Sequence, residues 1–150
     1  MAKKNKVIER DMGWKRILRE TRAMKRRGVK VGVLGDAERN DGQSMIDIAI
    51  YNEFGTKNIP ARPFIRGSYD SKRRELGKFK DRLLAQILRG KLDTVHALKI
   101  LGEHHKGQIQ EYMTTLDDPP NAPSTIEAKG SSNPLIDNGQ LRRSIDWELD

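Results

Sequence analysis

The only clustered histidines in the chain, His104 and His105 beside Glu103, follow His96 on a segment whose apolar spacing reads as one helix. A helix holds one zinc ion between two imidazoles when they sit at i and i+4, as in His-Glu-x-x-His, with the glutamate as general base. Neighbouring helical residues point about 100° apart, so His104 and His105 miss that geometry and are expected as surface or half-buried side chains. Phosphate chemistry is similarly incomplete. Gly32-Val33-Leu34-Gly35 and Gly42-Gln43-Ser44 look superficially like a phosphate-binding loop, but Gln43 stands where the lysine belongs and the glycines are wrongly spaced. Gly77-Lys78 and Gly90-Lys91 are followed by Phe79 and Leu92, which offer no hydroxyl for magnesium. The carboxylate groupings are Asp117 with Asp118, and Asp146, Glu148 and Asp150. General acid–base work needs two carboxyls whose environments push their pKa values apart, and neither grouping comes with one buried and one exposed member. No Gly-x-Ser-x-Gly elbow is present. The expectation is a protein without catalytic residues, cofactor or metal.

The elements that would carry these groups are read from punctuation and period. Asp11 can cap a helix running to about Arg27, with Trp14, Ile17, Leu18, Thr21 and Met24 on its inward face. Lys15, Arg19, Arg22 and Arg26 form a narrow stripe away from that face. Gly28 ends the helix, and residues 29–34 follow as a strand with Val29, Val31 and Val33 on one side. Gly35 to Gln43 reads as a polar, mobile loop. Ser44, with Asp47 three residues on, can start a second helix. Its residues Met45, Ile46, Ile48, Ala49 and Phe54 make it apolar on most sides, which suits a short buried helix. Gly55 can take the positive φ that a helix end requires. Pro60 and Pro63 keep Ile59 and Arg62 out of the helical region, and Pro63 can open the next helix at its first position.

From Pro63 to Arg89, Ile65, Tyr69, Leu76, Phe79, Leu83 and Ile87 recur at helical spacing, interrupted weakly by Gly67 and Gly77. Gly90 and Lys91 link this helix to a second one, from about Asp93 to Leu116, with Val95, Leu98, Leu101, Ile109, Tyr112, Met113 and Leu116 inward. So short a link makes antiparallel neighbours. Successive prolines after Asp118 end that helix. A short helix from Ser124 or Thr125 to Gly130, a loop from Ser131 to Pro134 and one helical turn near Asn138 to Arg142 come next. The chain ends in a strand at about 144–149, where Ile145, Trp147 and Leu149 alternate with Asp146, Glu148 and Asp150. It pairs most simply with the first strand. The fold class expected is α+β: a small antiparallel sheet (about 29–34 and 144–149) packed with a long helical hairpin and shorter helices.

Charge is unevenly placed. Of the 29 Lys and Arg and 21 Asp and Glu, residues 1–30 hold 12 and 3, so that segment carries +9 and the rest of the chain −1. The expectation is a basic, flexible arm over residues 1–10 and one α+β domain over 11–150. An N-terminal asymmetry of this kind points to phosphate or an acidic partner. Lys15, Arg19, Arg22 and Arg26 are the candidate DNA-facing residues, a solvated helix face being the other reading. The 0 cysteines exclude disulfides and thiolate sites. No run nears the roughly 18 apolar residues of a membrane span, so no membrane partner is expected and the cytoplasm is the expected place of synthesis.

Two motifs add a family. Tyr51-Asn52-Glu53-Phe54-Gly55-Thr56 followed by Ile59-Pro60-Ala61-Arg62-Pro63-Phe64-Ile65-Arg66 is one. The other is Asn121-Ala122-Pro123-Ser124-Thr125-Ile126, leading through Lys129-Gly130 to Pro134-Leu135-Ile136-Asp137-Asn138-Gly139-Gln140-Leu141-Arg142-Arg143-Ser144-Ile145. In this order the chain, from about Val29 to Leu149, resembles the neck and tail-completion (virion morphogenesis) proteins of long-tailed bacteriophages. The matching positions are Glu53, Phe54, Gly55, Pro60, Arg62, Pro63 and Phe64, then Pro123, Thr125, Ile126, Lys129, Leu135, Gly139, Leu141, Ser144 and Ile145. Departures are Gly67, where a proline or other helix-compatible residue is commoner, and Asn138, where a threonine is usual.

The resemblance implies a structural virion protein that completes the tail and joins it to the DNA-filled head. It would act as a homo-oligomeric ring, a hexamer or a dodecamer, around the DNA path. Implied partners are head-closure or connector proteins, tail terminator, tube or sheath proteins, and genomic DNA in the lumen. The implied location is the virion neck, after assembly in the host cytoplasm. Glu53, Phe54, Arg62, Pro63, Phe64, Arg66, Asp146 and Glu148 are the candidate interface residues. The plainer and preferred reading of Glu53, Arg62 and Arg66 is ordinary cap and surface charges around a rigid turn, and Arg62→Glu is expected to leave the fold intact. The alternative function is a small basic nucleic-acid-binding protein acting through its first helix.

Overall fold

The computed structural model describes residues 10–35, 42–130, 132, 135 and 139–150. The expected N-terminal arm, most of the Gly35–Gln43 and Ser131–Pro134 loops, and Ile136 to Asn138 lie outside the described residues. The elements in chain order are α1 (Trp14–Arg26), β1 (Val29–Val33), α2 (Met45–Phe54), α3 (Phe64–Leu88), α4 (Thr94–Thr115), α5 (Pro123–Lys129), α6 (Gln140–Arg143) and β2 (Ile145–Leu149). The fold is α+β.

Alternation decides the sheet. β1 and β2 pair antiparallel, with Val29 opposite Leu149, Val31 opposite Trp147 and Val33 opposite Ile145. One face of this ribbon is therefore wholly apolar, and a two-stranded ribbon needs a packing partner to be stable. That partner is α4. A methyl at Gly102 of α4 would lie 2.8 Å from Trp147 Cγ and Cδ2 and from Val29 Cγ2, so the sheet rests directly on a side-chain-free patch of helix. The Trp147 indole N–H then donates to Glu103 Oε2 at 2.7 Å.

Helices α3 and α4 form the expected hairpin. Gly67 touches Tyr112, Lys72 pairs with Glu111 at 3.4 Å, and Phe79 stacks on His104 at 4.0 Å between centroids, a falling series that only antiparallel helices give. At Gly67 a Cβ would lie 2.8 Å from Tyr112 Cζ, so this glycine admits the tyrosine ring. Gly77 has open space instead. Asp93 caps α4 by accepting from the His96 amide at 3.0 Å. The main core gathers Met45, Ala49, Phe64, Ile109, Met113, Leu135, Leu141 and Ile145, and a smaller one at the hairpin turn holds Leu83, Ile87 and Ala97.

Two faces differ from expectation. In α1, Trp14 is 63% exposed and Leu18 is also exposed, while the buried residue is Glu20. The inward side is turned by about 90° from the apolar stripe, at 100° per residue. The cause is polar: Arg16 and Glu20 dock the helix. In α2, the side bearing Ile50, Tyr51 and Phe54 is exposed and Glu53 is buried, so this helix is only half enclosed. Smaller differences are that Tyr69 is exposed and that Pro63 is the N-cap of α3, one residue before its first turn.

Candidate functional site

The first motif folds as a braced corner between α2 and α3. Ser44 starts α2 by accepting from the Asp47 amide at 3.4 Å. Gly55 ends it at φ 77°, where an added Cβ would lie 2.9 Å from the Ala61 nitrogen. The chain then doubles back on itself. Thr56 N–H donates to Ile59 O at 2.8 Å, and Arg62 N–H donates to Asn52 O at 2.6 Å.

Glu53, 5% exposed, reaches from the end of α2 to the start of α3. Its Oε2 accepts from the Ile65 amide at 2.9 Å, and its Oε1 accepts from the Arg66 amide at 3.1 Å and Arg66 Nε at 2.9 Å. A carboxylate here satisfies amides that the first helical turn leaves unpaired and faces the positive end of the helix dipole. Arg66 also donates to Glu53 O at 2.8 Å and lies 4.7 Å over the Phe54 ring. Phe54 itself is 63% exposed. The corner thus presents Phe54 and Arg66 outward on a rigid base of Glu53, Pro63 and fully buried Phe64.

Arg62 connects the two motifs. Its Nε donates to Pro119 O at 2.9 Å and its Nη2 to Pro120 O at 3.1 Å. Only 5% exposed, it is a tie between the α2–α3 link and the segment after α4, and burial lowers its pKa. The structure removes the ground for expecting Arg62→Glu to leave the fold intact: it would set a buried carboxylate against two carbonyl oxygens, a repulsive pairing without donors. The second motif continues with α5, closed by Gly130 in the left-handed conformation, and with α6. Leu135 and Leu141 enter the same core as Phe64.

The terminal strand turns its acids outward. Asp146 and Glu148 are exposed; Asp146 accepts from the Trp147 amide at 2.9 Å and from Lys106 Nζ at 3.1 Å. Those two bonds, the amide first, lower its pKa. Asp150 pairs with Lys30 at 2.8 Å.

At the opposite end of the hairpin, α1 lies across the α3–α4 turn. Arg16 Nη1 and Nη2 donate to the carbonyls of Ile87 and Leu88 at 2.6 and 2.7 Å, closing the negative end of α3. Glu20, 6% exposed, accepts from the Thr94 amide and hydroxyl at 2.9 Å each, closing the positive end of α4. The Thr94 amide bond is the main cause that lowers the Glu20 pKa, against the opposing effect of burial. Lys15, Arg19, Arg22 and Arg26 all lie on the solvent side of this helix. Arg19 Nε reaches Glu20 Oε1 at 3.1 Å.

Sequence reasoning missed Arg16, Glu20 and Thr94, because residues that meet only through tertiary structure leave no local spacing to read. The histidines lie in the hairpin and on its edge: His104 against Phe79, His105 6.3 Å from Tyr69, and His96 paired with Asp93 at 2.6 Å. Burial, then His104, then Lys80 lower the His105 pKa. Among the described residues no three His, Asp or Glu converge as a metal site, and no helix is long and apolar enough to cross a membrane. No protein family, curated protein or solved structure matches this chain.

Proposed function

We infer that this chain is a structural subunit of a bacteriophage neck, completing the tail and joining it to the filled head as one copy in a ring around the DNA path. The observation that carries the reading is the union of the two motifs on which the resemblance rests. Arg62 of the first holds the carbonyls of Pro119 and Pro120 that lead into the second, and Phe64, Leu135, Leu141 and Ile145 share one core. Motifs so far apart in sequence act here as one rigid body. A part that transmits position between neighbours needs that rigidity.

The interface divides by geometry. Glu53, Arg62, Pro63 and Phe64 brace the corner from within, while Phe54 and Arg66 beside Ile50 and Tyr51 form the outward contact on one side. Asp146 and Glu148 form the contact on another. Different patches meeting head to tail close into a ring when the rotation permits. A hexamer matches a sixfold tail tube, and a dodecamer is the alternative closed form; head-closure or connector proteins lie on one side, terminator, tube or sheath proteins on the other. A reconstruction of the virion is the test. The expected result is a ring of this chain between head and tail with the α2–α3 corner at the subunit contact. A single copy, or no copy in the neck, overturns the reading.

A further inference from the structure

The outer face of α1 carries more cation than the rest of the molecule neutralises. Lys15, Arg22 and Arg26 make no ion pair among the described residues, and Arg19 shares its charge with Glu20. On a helical projection these four fall within about 60°, and along the axis they extend roughly 16 Å at 1.5 Å per residue. No carboxylate interrupts the row, because the one acid of the helix, Glu20, points inward to Thr94.

The row runs into a cleft of about 400 Å³ between α1 and the hairpin turn, lined by Arg16, Arg19, Glu20, Lys91, Asp93 and His96 among others. Both carboxylates there are already engaged. Glu20 accepts from Arg19 and Thr94, and Asp93 accepts from the His96 amide and ring. Arg16 is held by neutral carbonyls, so its charge has no counter-ion in those contacts. A cationic row along one helix, ending in a cleft with Arg19 and Lys91 on its walls, matches a line of backbone phosphates.

We propose that the outer face of α1, with the adjoining cleft, is a sequence-independent binding surface for the phosphate backbone of duplex DNA, seating one phosphate between Arg19 and Lys91. An acidic protein segment is the competing partner. Duplex DNA fits better because its charge is regular and dense, about one per 3.4 Å along each strand, whereas the row offers cations at every helical turn without hydrophobic selectivity among them. The inference concerns what this face binds, and it stands whether or not the chain belongs to a neck.

The test is fluorescence anisotropy with labelled duplexes of about 25 bp and unrelated sequence, titrated across roughly 50 to 200 mM salt. Each neutralised phosphate contributes about 0.9 to the slope of log K against log salt. Replacing Lys15, Arg19, Arg22 and Arg26 together with glutamine should therefore reduce the slope by about 2.7–3.6, for three or four phosphates. Wild-type affinity carried by the row should fall roughly 40- to 150-fold over that salt range.

Lys91→Gln should remove about 0.9 more. The pair Lys15→Gln with Arg22→Gln, whose side chains make no ion pair or hydrogen bond among the described residues, should remove about half the effect of all four with an unchanged thermal melt. An unchanged slope in the fourfold variant overturns the proposal. So does displacement of the duplex by poly-glutamate at equal charge, which assigns the face to an acidic protein. More than about tenfold discrimination between duplexes also overturns it, in favour of a base-reading protein. Joining of heads and tails is a separate readout, so failure here and failure of the neck reading are distinguishable.

Discussion

Replacing Gly102 with alanine puts one methyl where the sheet meets α4. That methyl would stand 2.8 Å from Trp147 Cγ, Trp147 Cδ2 and Val29 Cγ2, on both strands at once. Carbon atoms rest at about 3.5–4.0 Å, so the ribbon must retreat by roughly 0.7–1.2 Å, or the indole must turn and stretch its 2.7 Å bond to Glu103. Overpacking of this kind costs about 1–3 kcal/mol. Exchanging a mid-helix glycine for alanine returns about 0.8–1.0 kcal/mol, so the net loss should be about 0–2 kcal/mol.

Gly107 is the control, five residues on in the same helix with nothing within 4 Å of an added Cβ. There only the propensity gain remains, about 0.8–1.0 kcal/mol of added stability. For a chain of this size each kcal/mol moves Tm by about 2–4 °C. Gly102→Ala should melt at or below wild type and Gly107→Ala above it. Circular dichroism melts give the sign, and tryptophan emission in a Trp14→Phe background isolates Trp147, which should become more exposed in the first variant only. Gly102→Ala as stable as Gly107→Ala would refute the packing of the sheet on α4.

Glu53→Gln keeps the size but loses the charge facing two α3 amides and Arg66, and should cost about 1.5–3 kcal/mol by urea denaturation. Arg62→Met leaves two carbonyls without their donor and should cost about 1–3 kcal/mol, with faster proteolysis between Asp117 and Asn121 in limited digestion. Stability should fall as pH drops, in two windows. The lowered His105 pKa makes the unfolded chain bind more protons just below 6.5, and the lowered Glu20 pKa does the same below 4.5. Both contributions are complete above those ordinary values and are lost as pH falls through the lower folded ones. Melting temperatures against pH should lose the upper window in His105→Gln and part of the lower one in Glu20→Gln, the lowered Asp93 and Asp146 pKa values keeping the remainder.

The parts legible in sequence are those decided by local period. Alternation of Ile145, Trp147 and Leu149 against Val29, Val31 and Val33 gave the sheet and its inward face, and Gly90-Lys91 gave the hairpin. What escaped is what depends on contact between distant residues. The apolar stripe of α1 pointed to Trp14 and Leu18, yet Arg16 and Glu20 fix the helix by closing the two ends of the hairpin. Hydrophobic spacing cannot register a docking made of charge against dipole. Phe54 and Glu53 exchange their expected sides for the same reason, since the α3 amides demand the carboxylate. Gly67 and Gly77 read alike in sequence, but Tyr112 fills the space beside the first and nothing fills the space beside the second.

The central proposal, an adaptor that joins head to tail, is tested most directly by adding purified protein to an extract of the phage lacking it. The account predicts DNA-filled heads and separate tails before addition, and infectious particles afterwards in proportion to the protein supplied, as a stoichiometric part requires. Phe54→Asp, whose side chain is exposed on the outward corner, should fold and fail to restore joining. Normal joined particles without the protein, or rescue by trace amounts that turn over, would contradict it.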